Sequence, residues 1–176
     1  MSDVDVQVAV RAVSVVDDVL RGELLACWTD VSNAGGAVGF VPPVTTDDVE
    51  PVLAHLLEGV DSGRDVLAVL TVDGVTAGWA SIVGSSGPLR RHWATVLRVQ
   101  VHPSRQGGGL GKALMRGVHD IARERGYEFL YLTARGGTGV DAFYRGLGYR
   151  EMGRLRGAIR VAPGDDRDEI LLQLPL

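Results

Sequence analysis

The residues Gln106, Gly107, Gly108, Gly109, Leu110, Gly111 and Lys112 join an apolar run, ending Val99-Gln100-Val101-His102-Pro103, to a periodic helix. Leu110, Ala113, Leu114, Gly117, Val118, Ile121 and Ala122 recur at helical spacing, and Gly126 stops the pattern. The first amides of a helix lack internal partners, and the helix dipole adds partial positive charge there. Glycines let the main chain come close to a ligand. Such a junction suits a diphosphate. Counting excludes two phosphate loops. A Walker loop needs a glycine where Gln106 stands and a Ser or Thr where Ala113 stands. A dinucleotide fingerprint started at Gly107 meets Lys112 in place of its third glycine, and started at Gly109 it meets Leu114.

What remains is Gln106-x-x-Gly109-x-Gly111, preceded by Val101-x-Pro103. This resembles the coenzyme A pyrophosphate loop of the GNAT superfamily of acyl-CoA-dependent N-acyltransferases, Gln/Arg-x-x-Gly-x-Gly/Ala. A glycine-rich surface turn before an ordinary helix stays open as the plainer reading. Downstream, the strand candidate Phe129-Leu130-Tyr131-Leu132-Thr133 and the loop Arg135-Gly136-Gly137-Thr138-Gly139 lead into Val140-Asp141-Ala142-Phe143-Tyr144-Arg145-Gly146-Leu147-Gly148-Tyr149. That run is similar to the superfamily's second signature. Both segments occur in the expected order.

The resemblance implies acetyl-CoA as co-substrate and no metal. Gln106, Gly107, Gly108, Gly109, Leu110, Gly111 and Lys112 are then its pyrophosphate loop, and Val99, Gln100 and Val101 line the pantetheine arm. The Val99 amide polarises the thioester carbonyl, a fixed donor that needs no reorganisation during reaction. Asp141 and Phe143 lie on the cofactor side, and Tyr144 matches the position that protonates the leaving thiolate. As an alternative, Phe143 and Tyr149 are core aromatics and Tyr144 only closes the pocket. The valines also read as plain core residues.

The implied reaction is direct attack of an amine on the thioester. An alkylammonium with a pKa of about 10 must first lose its proton. Relatives often place a glutamate on the strand before the loop, but Trp93-Ala94-Thr95-Val96-Leu97-Arg98-Val99-Gln100-Val101 has no carboxylate. His92, His102, Thr133 and Asp30 are the candidates, with His92 favoured because imidazole titrates near neutrality. A solvated His92, a loop-anchoring His102 and direct binding of the free amine all stay open. Cys27 reads as structural. Substrate contacts are expected from Trp28, Asp30, Asn33 and Phe40 in the first interhelix connection, and from Thr133. Gly39-Phe40-Val41-Pro42-Pro43 with Arg91-His92 is similar to acetyltransferases of the tabtoxin-resistance type, which act on small amines. Thr133 departs from an expected acid.

These residues need a scaffold, and 176 residues suffice for one domain over 1–176, structured from about 6. The 45% hydrophobic content is ordinary for a globular chain. A lone cysteine allows no internal disulfide and points to a reducing cytoplasm. The acidic opening Met1-Ser2-Asp3-Val4-Asp5 lacks the blocks of a signal peptide, and no apolar run spans a bilayer. A net charge of −4 gives no case for nucleic acid. Strands are expected over 6–13, 65–72, 75–83, 93–101, 129–133, 150–155 and 169–174. Helices are expected from Ser14, as N-cap, to about 31, from a Thr46 cap to about 60, and from 110 onward. Residues 160–168 read as a loop. The class is α/β, with a mixed sheet of about six to seven strands splayed in the middle and about four helices.

Three functions fit: an N-acetyltransferase for a small-molecule amine, a protein or peptide N-acetyltransferase, and a non-catalytic acyl-CoA sensor. The last strands also offer a homodimer contact.

Overall fold

The computed structural model describes residues 6–176, so the acidic opening 1–5 lies outside the described residues. The elements run β1 (Val8–Val13), α1 (Asp18–Asn33), α2 (Thr46–Asp61), β2 (Val66–Val72), β3 (Val75–Gly84), β4 (Trp93–Val101), α3 (Leu110–Glu124), β5 (Phe129–Arg135), α4 (Val140–Arg145), β6 (Arg150–Ala162) and β7 (Asp165–Pro175). Single 3₁₀ turns precede β4 at Pro88–Arg90 and follow it at Pro103–Arg105. The seven strands form one mixed sheet in the order β1-β2-β3-β4-β5-β7-β6, and four helices accompany it. This is the α/β class expected. The chain folds as two compact units, residues 6–83 with 97–121, and residues 84–96 with 122–176.

In the first unit β2 is buried at nearly every position, which explains its unbroken Val-Leu-Ala-Val-Leu sequence. It pairs antiparallel with β1 and β3. Asp73 and Gly74, both left-handed at φ 51° and 80°, make the two-residue turn into β3. Helix α1 buries Leu20, Leu24, Trp28 and Val31, and α2 buries Val49, Leu53, Leu57 and Val60, each set at helical spacing. Fully burying each such side chain contributes roughly 1.5–3 kcal/mol. Gly117 of α3 faces β1: a Cβ there would stand 2.4 Å from Val10 Cγ1.

In the second unit β4 pairs parallel with β5 over Trp93–Thr95 only. Leu130, Leu132 and Ala134 of β5 stand opposite Leu174, Leu172 and Ile170 of β7, and all six are buried. The amides of Glu128 and Phe129 donate to the His92 carbonyl, anchoring the start of β5 to the start of β4.

Three expectations change. The N-cap of α1 is Asp17, whose carboxylate accepts from the Leu20 amide, so Ser14 belongs to the preceding connection. Helix α2 is capped by Thr45 rather than Thr46, in a reciprocal box with Asp48. The loop expected over 160–168 is instead a hairpin, with β6 reaching Ala162 and β7 starting at Asp165. Arg160 and Asp166 form a bidentate pair across it, and Arg167 and Asp165 pair along β7. The cross-strand pair gives charged residues a strand role that a polarity pattern reads as loop.

Candidate functional site

The glycine loop is built from β4 outward. Gln106 Nε2 donates to the Val101 carbonyl at 2.9 Å, folding the loop back on the strand that delivers it. Gly107 and Gly109 take φ of 92° and 79°, which L side chains rarely adopt. A Cβ at Gly107, Gly108 or Gly109 would meet nothing within 4 Å, so their outer faces are open. The Gly109 carbonyl accepts from Ala113 and starts α3. No hydrogen bond among the described residues takes up the amides of residues 107–112. Leu110 and Gly111 are half-buried, and the Lys112 side chain is exposed. Unused donors, a helix start and one exposed cation thus fall together within residues 107–112, the electrostatics that an anion requires.

Strand β4 reaches this loop through a close approach to β3. A Cβ at Gly78 would stand 2.4 Å from the Gln100 carbonyl oxygen and 3.0 Å from Val101 Cα. The His102 amide donates to the Ala77 carbonyl at 2.8 Å. Gln100 and Val101 are buried and Val99 is half-buried. Just before them Arg98 sits in the left-handed region at φ 57°. Such a residue stores of order 1–3 kcal/mol of strain. Its Nη1 donates to the Val38 carbonyl at 3.0 Å, and Cζ lies 5.0 Å from the Trp28 ring centroid.

Trp28 has no exposed surface, and its Nε1 donates to Val38 at 2.9 Å. Phe40 and Trp79 meet it edge-on, at centroid distances of 5.5 and 5.4 Å. Asn33 clamps the connection after α1: its carboxamide accepts from the Val44 amide at 2.9 Å and donates to the Val44 carbonyl at 2.8 Å. Asp30 reaches the end of β4, with Oδ2 3.0 Å from His102 Nε2. His102 Nδ1 accepts from the Ser104 amide at 3.2 Å and lies 2.7 Å from Ser104 Oγ. A ring nitrogen that accepts from an amide carries no proton, so in the neutral ring Nε2 is the donor to Asp30. Cys27 is buried, and desolvation, with the Asp30 charge secondary, pushes its thiol up to about 12.

In the second unit Tyr144 is buried on α4, between Phe143 at 5.2 Å and Tyr149 at 5.6 Å. Desolvation raises the Tyr144 hydroxyl above the usual phenol range, so it stays protonated at every physiological pH. Asp141 is bonded to Arg145 of its own helix. Thr133 is exposed on β5, opposite Leu171 of β7. His92 Nε2 accepts from the Trp93 indole at 2.8 Å, and its ring packs edge-on against Phe129 at 5.9 Å. The indole bond occupies the one lone pair a neutral ring offers, because Nδ1 then carries the proton.

The first unit therefore gathers Val99, Gln100, Val101 and the whole glycine loop along one stretch, with Asp30 tied to that stretch through His102. Trp28 and Phe40 form a separate aromatic group with Trp79. Asn33 serves the loop itself. The residue that sequence reasoning passed over is Arg98. Its signal was a single cation inside the apolar run Thr95-Val96-Leu97-Arg98-Val99. Among the described residues no cluster of three or more His, Cys, Asp and Glu could hold a metal ion, and no helix is long and apolar enough to cross a membrane.

A profile of the Acetyltransferase (GNAT) family matches residues 25–149. Streptothricin acetyltransferase of Streptomyces lavendulae is 34% identical over 130 residues, which is 68% of this chain and 66% of that relative's length. The fold is similar to the ribosomal-protein-alanine N-acetyltransferase of Brucella melitensis, with a TM-score of 0.76 at 22% identity over 96% of this chain and 99% of that one. It is equally similar to yncA of Salmonella typhimurium, solved with its cofactor acetyl-CoA, at a TM-score of 0.76 and 21% identity over 97% and 94% of the two chains. The match takes in the loop, β4, α3 and α4 together, and the chain belongs to the GNAT acetyltransferase family.

Proposed function

We propose that this protein transfers the acetyl group of acetyl-CoA to a primary amine of a small molecule, by direct attack in a ternary complex. The observation that supports it most is the run of unbonded amides over residues 107–112 at the start of α3, beside open glycine faces and the Lys112 cation. These residues fit a diphosphate: donors without partners, space at Gly107, Gly108 and Gly109, and positive charge. The streptothricin acetyltransferase of Streptomyces lavendulae supports a small-molecule acceptor. The acetyl-CoA in the yncA structure supports that donor.

In this reading Gln106, Gly107, Gly108, Gly109, Leu110, Gly111 and Lys112 bind the pyrophosphate. Val99, Gln100 and Val101 carry the pantetheine arm, with the Val99 amide polarising the carbonyl. The amine nitrogen forms the new C–N bond and the C–S bond breaks, sending its electron pair to the coenzyme A sulfur. Tyr144, which matches the superfamily position that protonates the leaving thiolate, is assigned as the donor to that sulfur. Its hydroxyl is a weaker acid than free phenol, while a thiol sits near 8.5, so it stabilises the thiolate by a hydrogen bond more readily than by full proton transfer. The amine's proton needs another route. His92 accepts it only if the Trp93 indole releases Nε2, so the hydrogen bonds favour entry of the amine already neutral. That form is about 0.1% of an alkylamine at pH 7 and grows tenfold per pH unit. After attack the nitrogen sheds one further proton, which passes to the leaving thiolate and gives the amide and the coenzyme A thiol.

Calorimetric titration of the wild type and Gly109→Glu with acetyl-CoA tests the donor site. Binding by the wild type that the variant loses supports the reading; no binding by folded wild type overturns it. Thiol release across a panel of amines then separates an enzyme from an acyl-CoA sensor.

A further inference from the structure

Six other arginines among the described residues, Arg21, Arg64, Arg145, Arg154, Arg160 and Arg167, are paired with acids. Arg21 bonds Glu50, Arg64 forms a fork with Asp65, and Arg154 does the same with Glu151. Arg98 differs. No carboxylate lies within ion-pair distance of it among the described residues, although burial penalises its charge. Among the described residues its guanidinium makes one hydrogen bond, from Nη1 to the Val38 carbonyl, and one ring contact, with Trp28. Nε is buried and bonds nothing, whereas Nη2 bonds nothing yet is not a buried atom. The position is specifically accommodated. Arg98 takes a left-handed backbone to reach it, and Gly39 clears the way, since a Cβ there would stand 2.1 Å from Nη1. Trp79, packed against the same Trp28 ring, adds a second buried donor without an acceptor, its Nε1.

The two unused donors of Arg98 are the informative ones. Nε–H and Nη2–H point the same way from one side of the planar guanidinium, the fork that receives both oxygens of a carboxylate. With Nη1 committed to Val38, Nη2 is the donor a ligand oxygen meets first, and Nε, buried and unpaired beside it, completes the fork once what covers it gives way. A desolvated cation with no counter-charge favours any ligand that supplies one.

We propose that Arg98 holds a carboxylate of the acceptor amine, so that the substrate class is amino acids and amino-acid-like amines. This rests on the acetyl-transfer reading and narrows it. The connection carrying Val38, Gly39 and Phe40 then contributes the apolar wall beside that carboxylate, and Arg98 acts as a specificity determinant.

The test pairs α-amino acids with their α-carboxamides, which offer the same amine without the negative charge. Thiol release from acetyl-CoA is followed for the wild type, Arg98→Gln and Arg98→Lys. The wild type is expected to favour at least one acid over its amide by tenfold or more in kcat/KM. Arg98→Gln is expected to erase that preference, with the loss in KM, and Arg98→Lys to keep part of it. Acetyl-CoA affinity, measured by calorimetry, stays within twofold in both variants. Equal use of acids and amides by the wild type overturns the proposal, as does a preference that survives Arg98→Gln. A loss of acetyl-CoA affinity in the variants also overturns it, because Arg98 then serves a phosphate of the donor. If no amine releases thiol, the transfer reading itself fails. Calorimetric binding of N-acetyl amino acids, lost in Arg98→Gln but retained in Arg98→Lys, still decides whether Arg98 is a carboxylate receptor.

Discussion

His102 and Asp30, 72 residues apart, meet at 3.0 Å, and the same imidazole accepts from the amide of Ser104 through its other nitrogen. One ring thus ties the end of α1 to the 3₁₀ turn that precedes the glycine loop. Replacing His102 by Ala removes both bonds, each worth about 0.5–1.5 kcal/mol. The expected result is a stability loss of about 1–2 kcal/mol in urea unfolding, with acetyl-CoA affinity down several-fold. An unchanged affinity at that stability loss would show that the loop holds its shape without the tie.

Gly109 separates strain from obstruction. At φ 79°, Ala costs about 1–2 kcal/mol of backbone strain, yet its methyl meets nothing. Gly109→Ala is therefore expected to weaken acetyl-CoA binding by less than tenfold. Gly109→Glu adds a negative charge where anions should sit and is expected to weaken it by about 100-fold or more, the scale of one or two charge-assisted hydrogen bonds. Equal effects of the two substitutions on calorimetric affinity would place the diphosphate elsewhere.

Gly78 sets how closely β3 and β4 run. Its missing Cβ would press on the Gln100 carbonyl and Val101 Cα, and main chain yields little. Gly78→Ala is expected to cost about 1–3 kcal/mol in unfolding free energy. Acetyl-CoA affinity should fall with it, because the displaced stretch contains Val99 and Val101.

Tyr144→Phe keeps the ring packed between Phe143 and Tyr149 and removes only the hydroxyl. The expected change is a fall in kcat of about 10–100-fold, at the low end for a proton donor, with the KM for acetyl-CoA unchanged. Because burial raises this phenol, the wild-type kcat profile should show no alkaline break below pH 10. A break near pH 8 that disappears in Tyr144→Phe would contradict the assignment.

Cys27 gives a pH dependence of opposite use. Its folded thiol is raised from 9.0 to about 12, so the stability linked to it is complete below pH 9 and is lost as pH climbs from 9 through 12. Chemical denaturation at pH 8, 10 and 11.5 should show that decline. At pH 8 the folded protein should leave a disulfide reagent unreacted, and denaturant should release one thiol per chain. Rapid labelling of the folded protein would mean that Cys27 is not sealed in the core.

Sequence made the loop and its flanking elements legible because their signals are local. The glycine spacing, the apolar face of α3 and the β-rich run before it all lie within about 30 residues. The α1 start was misjudged because two capping residues, Ser14 and Asp17, stand within one turn of each other, and only the side-chain bond to Leu20 distinguishes them. The β6–β7 hairpin was read as a loop because its exposed positions carry Arg and Asp, whose cross-strand pairing no single-strand pattern records. Arg98 was passed over for a deeper reason. Its meaning lies in a backbone angle and in the absence of an acid, neither of which a residue type reports.

The two hydrogen bonds from Asn33 to Val44 close the segment between them into a ring, and Trp28 and Arg98 fasten its interior at Val38. A connection of this length would otherwise fluctuate, and any molecule docking against Phe40 would have to freeze it, at about 1–2 kcal/mol of conformational entropy per residue. Here that freezing is done once, when the chain folds. In the proposed reading the acceptor amine meets a segment already preorganised, so contact energy at Phe40 is free to appear as affinity and as discrimination between closely related molecules.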